Sequence, residues 1–258
     1  MSMSLLCIYF SNCVITNLQI KFIKSLHLKK NRLEYSQYVC EGEKIVQELI
    51  SYKPQFIDTI YANDVWEAPS SDRNLTIIRT TAKDMERLSH HTAAPSVIAL
   101  VNISKEAKFK LSLQKFYLYL DQITDPGNLG TIIRTADWYG LKQIFLSPNC
   151  VDLYNSKVIQ SAMGSHFRVN CLEIDFENLI QKHKFDSIFA TTMNGESLTT
   201  FNSIDNSLIV MGSESHGVSK EIFELSTLKI TIPSFGQTES LNVAVATGII
   251  LHHFTANN

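Results

Sequence analysis

Hydrophobic positions change period several times along this chain. From Ile15 to Leu28, the apolar residues Leu18, Phe22, Ile23 and Leu26 recur at threes and fours, which predicts an amphipathic helix. Tyr38-Val39-Cys40 reads as a short strand, and Gly42 precedes a helix over 43–51. Residues 56–61 and 75–79 read as strands. Thr81 caps a helix to about Leu88, with Asp84 in the first turn, where the helix dipole favours an acid. An apolar strand at 96–102 completes a small α/β unit. Residues 104–115 carry four lysines against one glutamate and read as a linker. Beyond it, strands at 116–120, 143–146, 186–191, 208–211 and 229–232 alternate with helices near 129–139, 155–163, 175–183, 219–225 and 240–254. These strands are continuous apolar runs, so a parallel sheet covered on both faces is expected.

Composition narrows the class without naming it. The chain has 258 residues, 45% hydrophobic and 19% charged, which suits one large or two small globular domains. No run of 18 or more apolar residues exists, so no membrane span is expected. Charge is nearly balanced at 23 basic against 25 acidic residues, which does not advertise nucleic-acid binding. The balance is local, however: Lys21, Lys24, Lys29, Lys30 and Arg32 come with no acid before Glu34, a basic patch on a neutral protein. The five cysteines, at 7, 13, 40, 150 and 171, are scattered and form no C-x-x-C. No disulfide framework and no metal site is expected, and a reducing cytoplasm fits. The start, MSMSLLCIYFSNC, lacks the basic segment of a signal peptide and is read as an extension outside the fold, non-native or disordered.

Parallel α/β sheets bind ligands at the carboxyl ends of their strands. Three such ends stand out. After 116–120 comes Asp121-Gln-Ile-Thr-Asp-Pro-Gly-Asn128-Leu-Gly130-Thr-Ile-Ile-Arg134-Thr-Ala136, in which Pro126 and Gly127 turn and Asn128 can cap the next helix. On spacing alone Arg134 is as readily a surface residue as a functional one. After 208–211 comes Gly212-Ser-Glu214-Ser-His-Gly217-Val218-Ser219, which mimics a phosphate loop but has Val218 where that loop needs lysine. His216 reads as a solvated loop residue. After 229–232 comes Pro233-Ser-Phe-Gly236-Gln-Thr-Glu-Ser240-Leu-Asn242-Val-Ala-Val-Ala246, where Ser240 or Thr238 can be simply a helix cap. The helix beyond is apolar on nearly every side, so it must be buried against the sheet or another subunit. No G-x-S-x-G elbow accompanies Ser240, which leaves a hydrolase triad unsupported.

In this order, N-x-G-x-x-x-R-T-A, G-x-E-x-x-G-V and I-P-x-x-G-x-x-x-S-L-N-V-x-V-A resemble the three signature motifs of the SpoU (TrmH-type) RNA 2′-O-ribose methyltransferases of the SPOUT superfamily. The motifs lie within 116–254. Less specifically, K-S-L-H-L-K-K-N-R and C-E-G-E-K-I-V resemble a substrate-binding domain similar to ribosomal protein L30e. Ser213 and Ser234 stand where asparagine and methionine are usual. The resemblance implies an L30e-like domain at 14–102, a linker at 103–115 and a knotted α/β domain at 116–258. It implies methyl transfer from S-adenosylmethionine to a ribose hydroxyl, with the cofactor held by Thr191, Gly212, Ile232 and Leu241. Arg134 matches the catalytic arginine, and Asn128, Glu214, Ser240 and Asn242 match its polar supports, with Glu214 expected to pair with Arg134. Whether the arginine is base or stabiliser stays open, but a guanidinium gives up its proton so reluctantly that stabilising the developing alkoxide is favoured. The resemblance also implies a homodimer through the knotted domain. The expected substrate is ribosomal RNA, held through Lys21, Lys24, Lys29, Lys30 and Arg32. The alternatives are transfer RNA, a base-methylating relative, or a non-catalytic RNA-binding member of the fold.

Overall fold

The computed structural model describes residues 10–11, 15–69, 75–104 and 110–257. The chain forms two compact units, one of Met1–Ala107 with Tyr154–Phe167, the other of Lys108–Leu153 with Arg168–Asn258. Among the described residues, no helix is long and apolar enough to cross a membrane.

The first unit contains β1 (Phe10–Ser11), α1 (Asn17–Ser25), α2 (Lys29–Tyr35), β2 (Gln37–Glu41), α3 (Glu43–Tyr52), β3 (Ile57–Ala62), β4 (Ile77–Arg79), α4 (Ala82–Leu88) and β5 (Val97–Asn102). Its sheet runs β1-β4-β3-β5-β2. β5 is antiparallel to β3 and β2, while β4 is parallel to β1 and β3. Side chains alternate across a strand with period two, and β5 uses both faces. Val97, Ala99 and Val101 join Ile45 and Leu49 of α3 in one core. Ile98 and Leu100 join Ile23 of α1 and Leu88 of α4 in another. Thr16 and Gln19 form a capping box at the start of α1.

Two features depart from the sequence pattern. The helix expected over 15–28 ends at Ser25, and α2 follows it. The one buried side chain of α2 is Arg32. Of the expected extension 1–13, residues 10–11 form β1 against β4, and the rest lies outside the described residues, as does 105–109 of the expected linker.

Then come β6 (Phe116–Leu120), α5 (Pro126–Trp138), β7 (Gln143–Leu146), α6 (Ser156–Ala162), β8 (Asn170–Glu173), α7 (Phe176–Lys182), β9 (Ser187–Ser197), β10 (Ser207–Met211), α8 (Lys220–Leu225), β11 (Leu228–Thr231) and α9 (Val243–Ala256). Of these, α6 belongs to the first unit. Tyr154 lies 4.5 Å from the Tyr38 ring, and Ile159 and Phe167 enter the core beneath α3. Gly164 has φ +91°, and a Cβ there would come within 2.7 Å of Glu48 Cβ.

The remaining strands form a six-stranded sheet, β11-β9-β10-β6-β7-β8, parallel throughout. Tyr117, Tyr119, Leu208 and Val210 pack one face against Phe176 and Leu179 of α7 and Ile222 of α8. On the other face α5 buries Leu129, Ile132, Ile133 and Ala136. There Phe254 of α9 lies 6.1 Å from the Phe116 ring and 5.8 Å from that of Phe189.

Candidate active site at the strand ends

Strand order reverses between β6 and β10, where open parallel sheets leave a crevice for ligands. A cavity of about 600 Å³ opens on the β10 side of that point, at the ends of β9, β10 and β11. Its shape follows from a break in pairing. Lys229 of β11 faces Ala190 of β9, yet the next residue, Ile230, faces Glu196. The intervening stretch of β9 is thrown out of register, and Thr191, Thr192 and Met193 line the cavity. Thr191 Oγ1 donates to the Val210 carbonyl at 2.9 Å, which ties this wall to β10.

Gly212 begins the loop after β10 and is the tightest point of the wall. A Cβ there would lie 2.0 Å from the Gly217 carbonyl carbon and 2.1 Å from Val218 N. The loop closes on itself, with Ser213 N donating to Gly217 O at 3.0 Å and Gly217 N to Ser213 O at 2.9 Å. Gly217 has φ +69°, a region that suits glycine. Ile232, Ser240 and Leu241 complete the far wall, and Ile250 of α9 lines the interior. All four residues matched to cofactor binding, Thr191, Gly212, Ile232 and Leu241, therefore border one cavity.

The polar residues assemble beside it. Asn242 Nδ2 donates to Asn128 Oδ1 at 2.9 Å and to Glu214 Oε1 at 2.6 Å. Its Oδ1 accepts from Ala244 N at 3.0 Å and Val245 N at 3.4 Å, so Asn242 caps α9. The expected cap, Ser240 or Thr238, instead lines the cavity. At α5 the cap is likewise not Asn128 but Asp125, whose Oδ1 accepts from Asn128 N at 2.8 Å. Pro126 fills the first helical position, where its missing N–H costs nothing. That shift leaves the Asn128 side chain for Asn242.

Two further expectations are corrected by geometry. Glu214 does not pair with Arg134. Its Oε1 accepts from Asn242 Nδ2 and, at 3.4 Å, from Val243 N. Arg134 sits six residues beyond Asn128, about 9 Å further along α5 at 1.5 Å per residue, and its side chain is exposed. Arg32 is the second correction. It is 4% exposed, and its Nη1 donates to the carbonyls of Leu26 at 2.7 Å and His27 at 2.6 Å. Those acceptors follow the end of α1, where backbone carbonyls lack helical partners. The guanidinium fastens a helix corner and is not presented to RNA. Lys21, Lys24, Lys29 and Lys30 are exposed as expected.

The sequence pattern missed Asp121. It is 2% exposed at the end of β6, and its Oδ2 accepts from Ser219 N at 2.7 Å, joining β6 to the far end of the loop after β10. An aspartate directly after a fully apolar strand was the available signal. Nearby, Cys150 Sγ donates to Leu120 O at 3.3 Å, and burial raises its thiol pKa above the ordinary range.

Similarity to known proteins divides the chain in two along the sequence, without setting residues 154–167 apart. Residues 115–252 match the model of the SpoU rRNA Methylase family, and residues 17–99 match the MRM3-like substrate binding domain. The chain is 32% identical over 240 residues to the 23S rRNA (guanosine(2553)-2′-O)-methyltransferase RlmP of Bacillus subtilis, covering 92% of this chain and 96% of that protein. An AdoMet-bound rRNA methyltransferase structure from Sinorhizobium meliloti superposes with a TM-score of 0.81 at 26% identity, covering 95% of this chain and 97% of that one. A TrmH-family structure from Porphyromonas gingivalis gives 0.84 at 28% identity, over 95% and 100%. With its motifs gathered around one cavity and more than half its length matched, this chain belongs to the SpoU rRNA methylase family.

Proposed function

We propose that this chain is an S-adenosylmethionine-dependent RNA 2′-O-ribose methyltransferase whose substrate is ribosomal RNA. The observation that carries the reading is the cavity walled by Gly212, Ile232 and Leu241 with the Asn128–Asn242–Glu214 cluster at its side. Its volume, about 600 Å³, lies within the range of small-molecule sites. Leu241 and Ile250 offer apolar surface to an aromatic ring, and the close-packed glycine loop offers backbone groups to polar ones. These residues fit the cofactor, which supplies an electrophilic methyl group when bound.

The chain's own task is to bring a weakly acidic hydroxyl into line and to stabilise the charge that grows on its oxygen. Alignment at about 3–3.5 Å is worth several kcal/mol of barrier. In this reading the Arg134 guanidinium, which offers N–H donors and no acceptor, stabilises the charge growing on that oxygen. Asn242 holds Glu214 and Asn128 in fixed relation between the cavity and the start of α5.

The same reading includes a homodimer through α5 and α9. Trp138 is 84% exposed, Val245 53% and Ile249 39%, an apolar face on two adjoining helices. Arg134 and Trp138 are four residues apart, on one side of α5, so pairing would carry Arg134 into a covered, water-poor setting.

The test is transfer of labelled methyl groups to transcripts of large-subunit ribosomal RNA, with transfer RNA transcripts alongside. Wild type labels a ribose hydroxyl of the ribosomal transcript, and Arg134→Ala loses at least about a hundredfold in kcat, equivalent to roughly 2.7 kcal/mol, while cofactor affinity stays within a few fold. Efficient labelling of transfer RNA with none of ribosomal RNA overturns the substrate assignment.

A further inference from the structure

Glu41 ends β2 and is 4% exposed, a carboxylate inside the first unit. Burying such a charge is costly unless it is hydrogen-bonded. Its partners come from one loop, the residues that follow α4. Ser89 Oγ donates to Oε2, His90 N donates to Oε1 at 3.3 Å, and His91 Nε2 lies 3.8 Å from Oε2. Gln160 Nε2 adds a clamp: it donates to the Glu41 carbonyl at 2.9 Å and lies 3.1 Å from His91 Nε2. The carboxylate fixes where residues 89–91 run.

The two imidazoles that this loop carries, His90 and His91, are exposed. His90 sits 5.1 Å from the ring of His27, also exposed, at the corner between α1 and α2. His27 Nδ1 donates to the Lys24 carbonyl at 2.6 Å, which leaves Nε2 for another partner. The backbone of His27 is pinned by Arg32. Lys21, Lys24, Lys29 and Lys30 are exposed on α1 and α2. Two separated segments are thus held so that their imidazoles meet beside Lys24.

We propose that His27, His90 and His91 join the α1–α2 lysines in one phosphate-contact surface for the RNA, with Glu41 as the positioning residue that sets the histidine loop against the lysine helices. This rests on the RNA methyltransferase reading above. The surface follows the sugar–phosphate backbone and carries no base code. Lysine ammonium groups and imidazole N–H groups are both donors to phosphate oxygens. Four groups face His90: the Glu41 carboxylate favours its protonation, and His27, Lys24 and His91 oppose it. Partial desolvation of the ring where it packs near His27, the largest influence, lowers its pKa below the ordinary histidine value. A phosphate at this spot pulls the pKa back up, so binding takes up a proton and strengthens as pH falls.

The experiment measures affinity of the full chain for an unmodified large-subunit ribosomal RNA transcript, across salt and pH. Wild-type affinity rises about three- to tenfold from pH 8 to pH 6, as expected for coupling of up to one pKa unit. The triple variant His27→Gln, His90→Gln, His91→Gln loses that pH dependence, with its salt slope at pH 8 unchanged. Glu41→Ala weakens binding about five- to twentyfold, the scale of one or two charge-assisted contacts. Simple electrostatics gives the opposite sign, because deleting an acid from an RNA-binding face should tighten binding. Where Glu41→Ala fails to fold, the histidine variant, altered only at exposed positions, decides. A pH-independent wild type, or tighter binding by folded Glu41→Ala, overturns the proposal. Cofactor binding and methyl transfer are followed in parallel: their loss in wild type would sink the enzymatic reading, and their retention beside an unaltered histidine variant would sink only this surface.

Discussion

Asn242 and Asn128 are 114 residues apart in sequence, and the Nδ2 of the first donates to the Oδ1 of the second at 2.9 Å. One side-chain amide thereby does two jobs. Its oxygen caps α9, and its nitrogen ties the cap to α5 and to Glu214. The jobs separate by substitution. Asn242→Asp keeps an oxygen for the cap but loses the donor and sets a second carboxylate beside Glu214. It should keep thermal stability close to wild type and lose at least about tenfold in kcat, roughly 1.4 kcal/mol. Asn242→Ala loses both functions and should also lose about 1 kcal/mol of stability, the usual worth of a cap. Paired melting curves and initial rates check this.

Gly212→Ala should be far more damaging than an added methyl suggests. The atoms it would meet, at 2.0 and 2.1 Å, are backbone atoms of Gly217 and Val218 in a loop pinned by its own hydrogen bonds. Overpacking of this kind costs about 1–3 kcal/mol. The loop must shift, and cofactor affinity should fall more than about tenfold, which calorimetric titration would read. An affinity within twofold of wild type would show that the loop yields.

Arg32 and the neighbouring lysines should behave oppositely. Arg32→Ala removes a buried group bonded to two carbonyls and should cost about 1.5–3 kcal/mol of stability. Lys29→Glu with Lys30→Glu changes exposed charge only. It should leave the melting temperature within a degree or two and lower the salt slope of RNA binding by about one to two units.

Val245→Glu places a charge on the exposed apolar face of α5 and α9. If that face pairs two copies, the variant is a monomer of about half the wild-type mass by light scattering, folded and inactive. A wild type that is itself monomeric and fully active at micromolar concentration removes the dimer from the proposed function.

Elements with a strong local signal were legible. The strand expected at 116–120 is β6, and the helix opened by Thr81 is α4, its Oγ1 accepting from Asp84 N. These rest on neighbouring residues, which sequence displays. What was missed rests on distant partners. α2 is a helix whose only buried residue is an arginine, so it has no apolar period to read. β8, Asn-Cys-Leu-Glu, is a half-exposed edge strand paired only to β7. The site was legible as a set of motifs only through their order, which resembles that of the SpoU family; each strand end alone had an ordinary reading as turn or helix cap. Its wiring was not, since the partner of Glu214 is decided by which residue caps α9.

The return of residues 154–167 to the first unit bears on how such a protein can be cut and recombined. A gene fusion joined after residue 107 would transplant a first unit lacking Ile159 and Phe167 from its core, and leave their apolar surface stranded on the recipient. A functional graft needs two inserts, the leading segment and the later loop, chosen together.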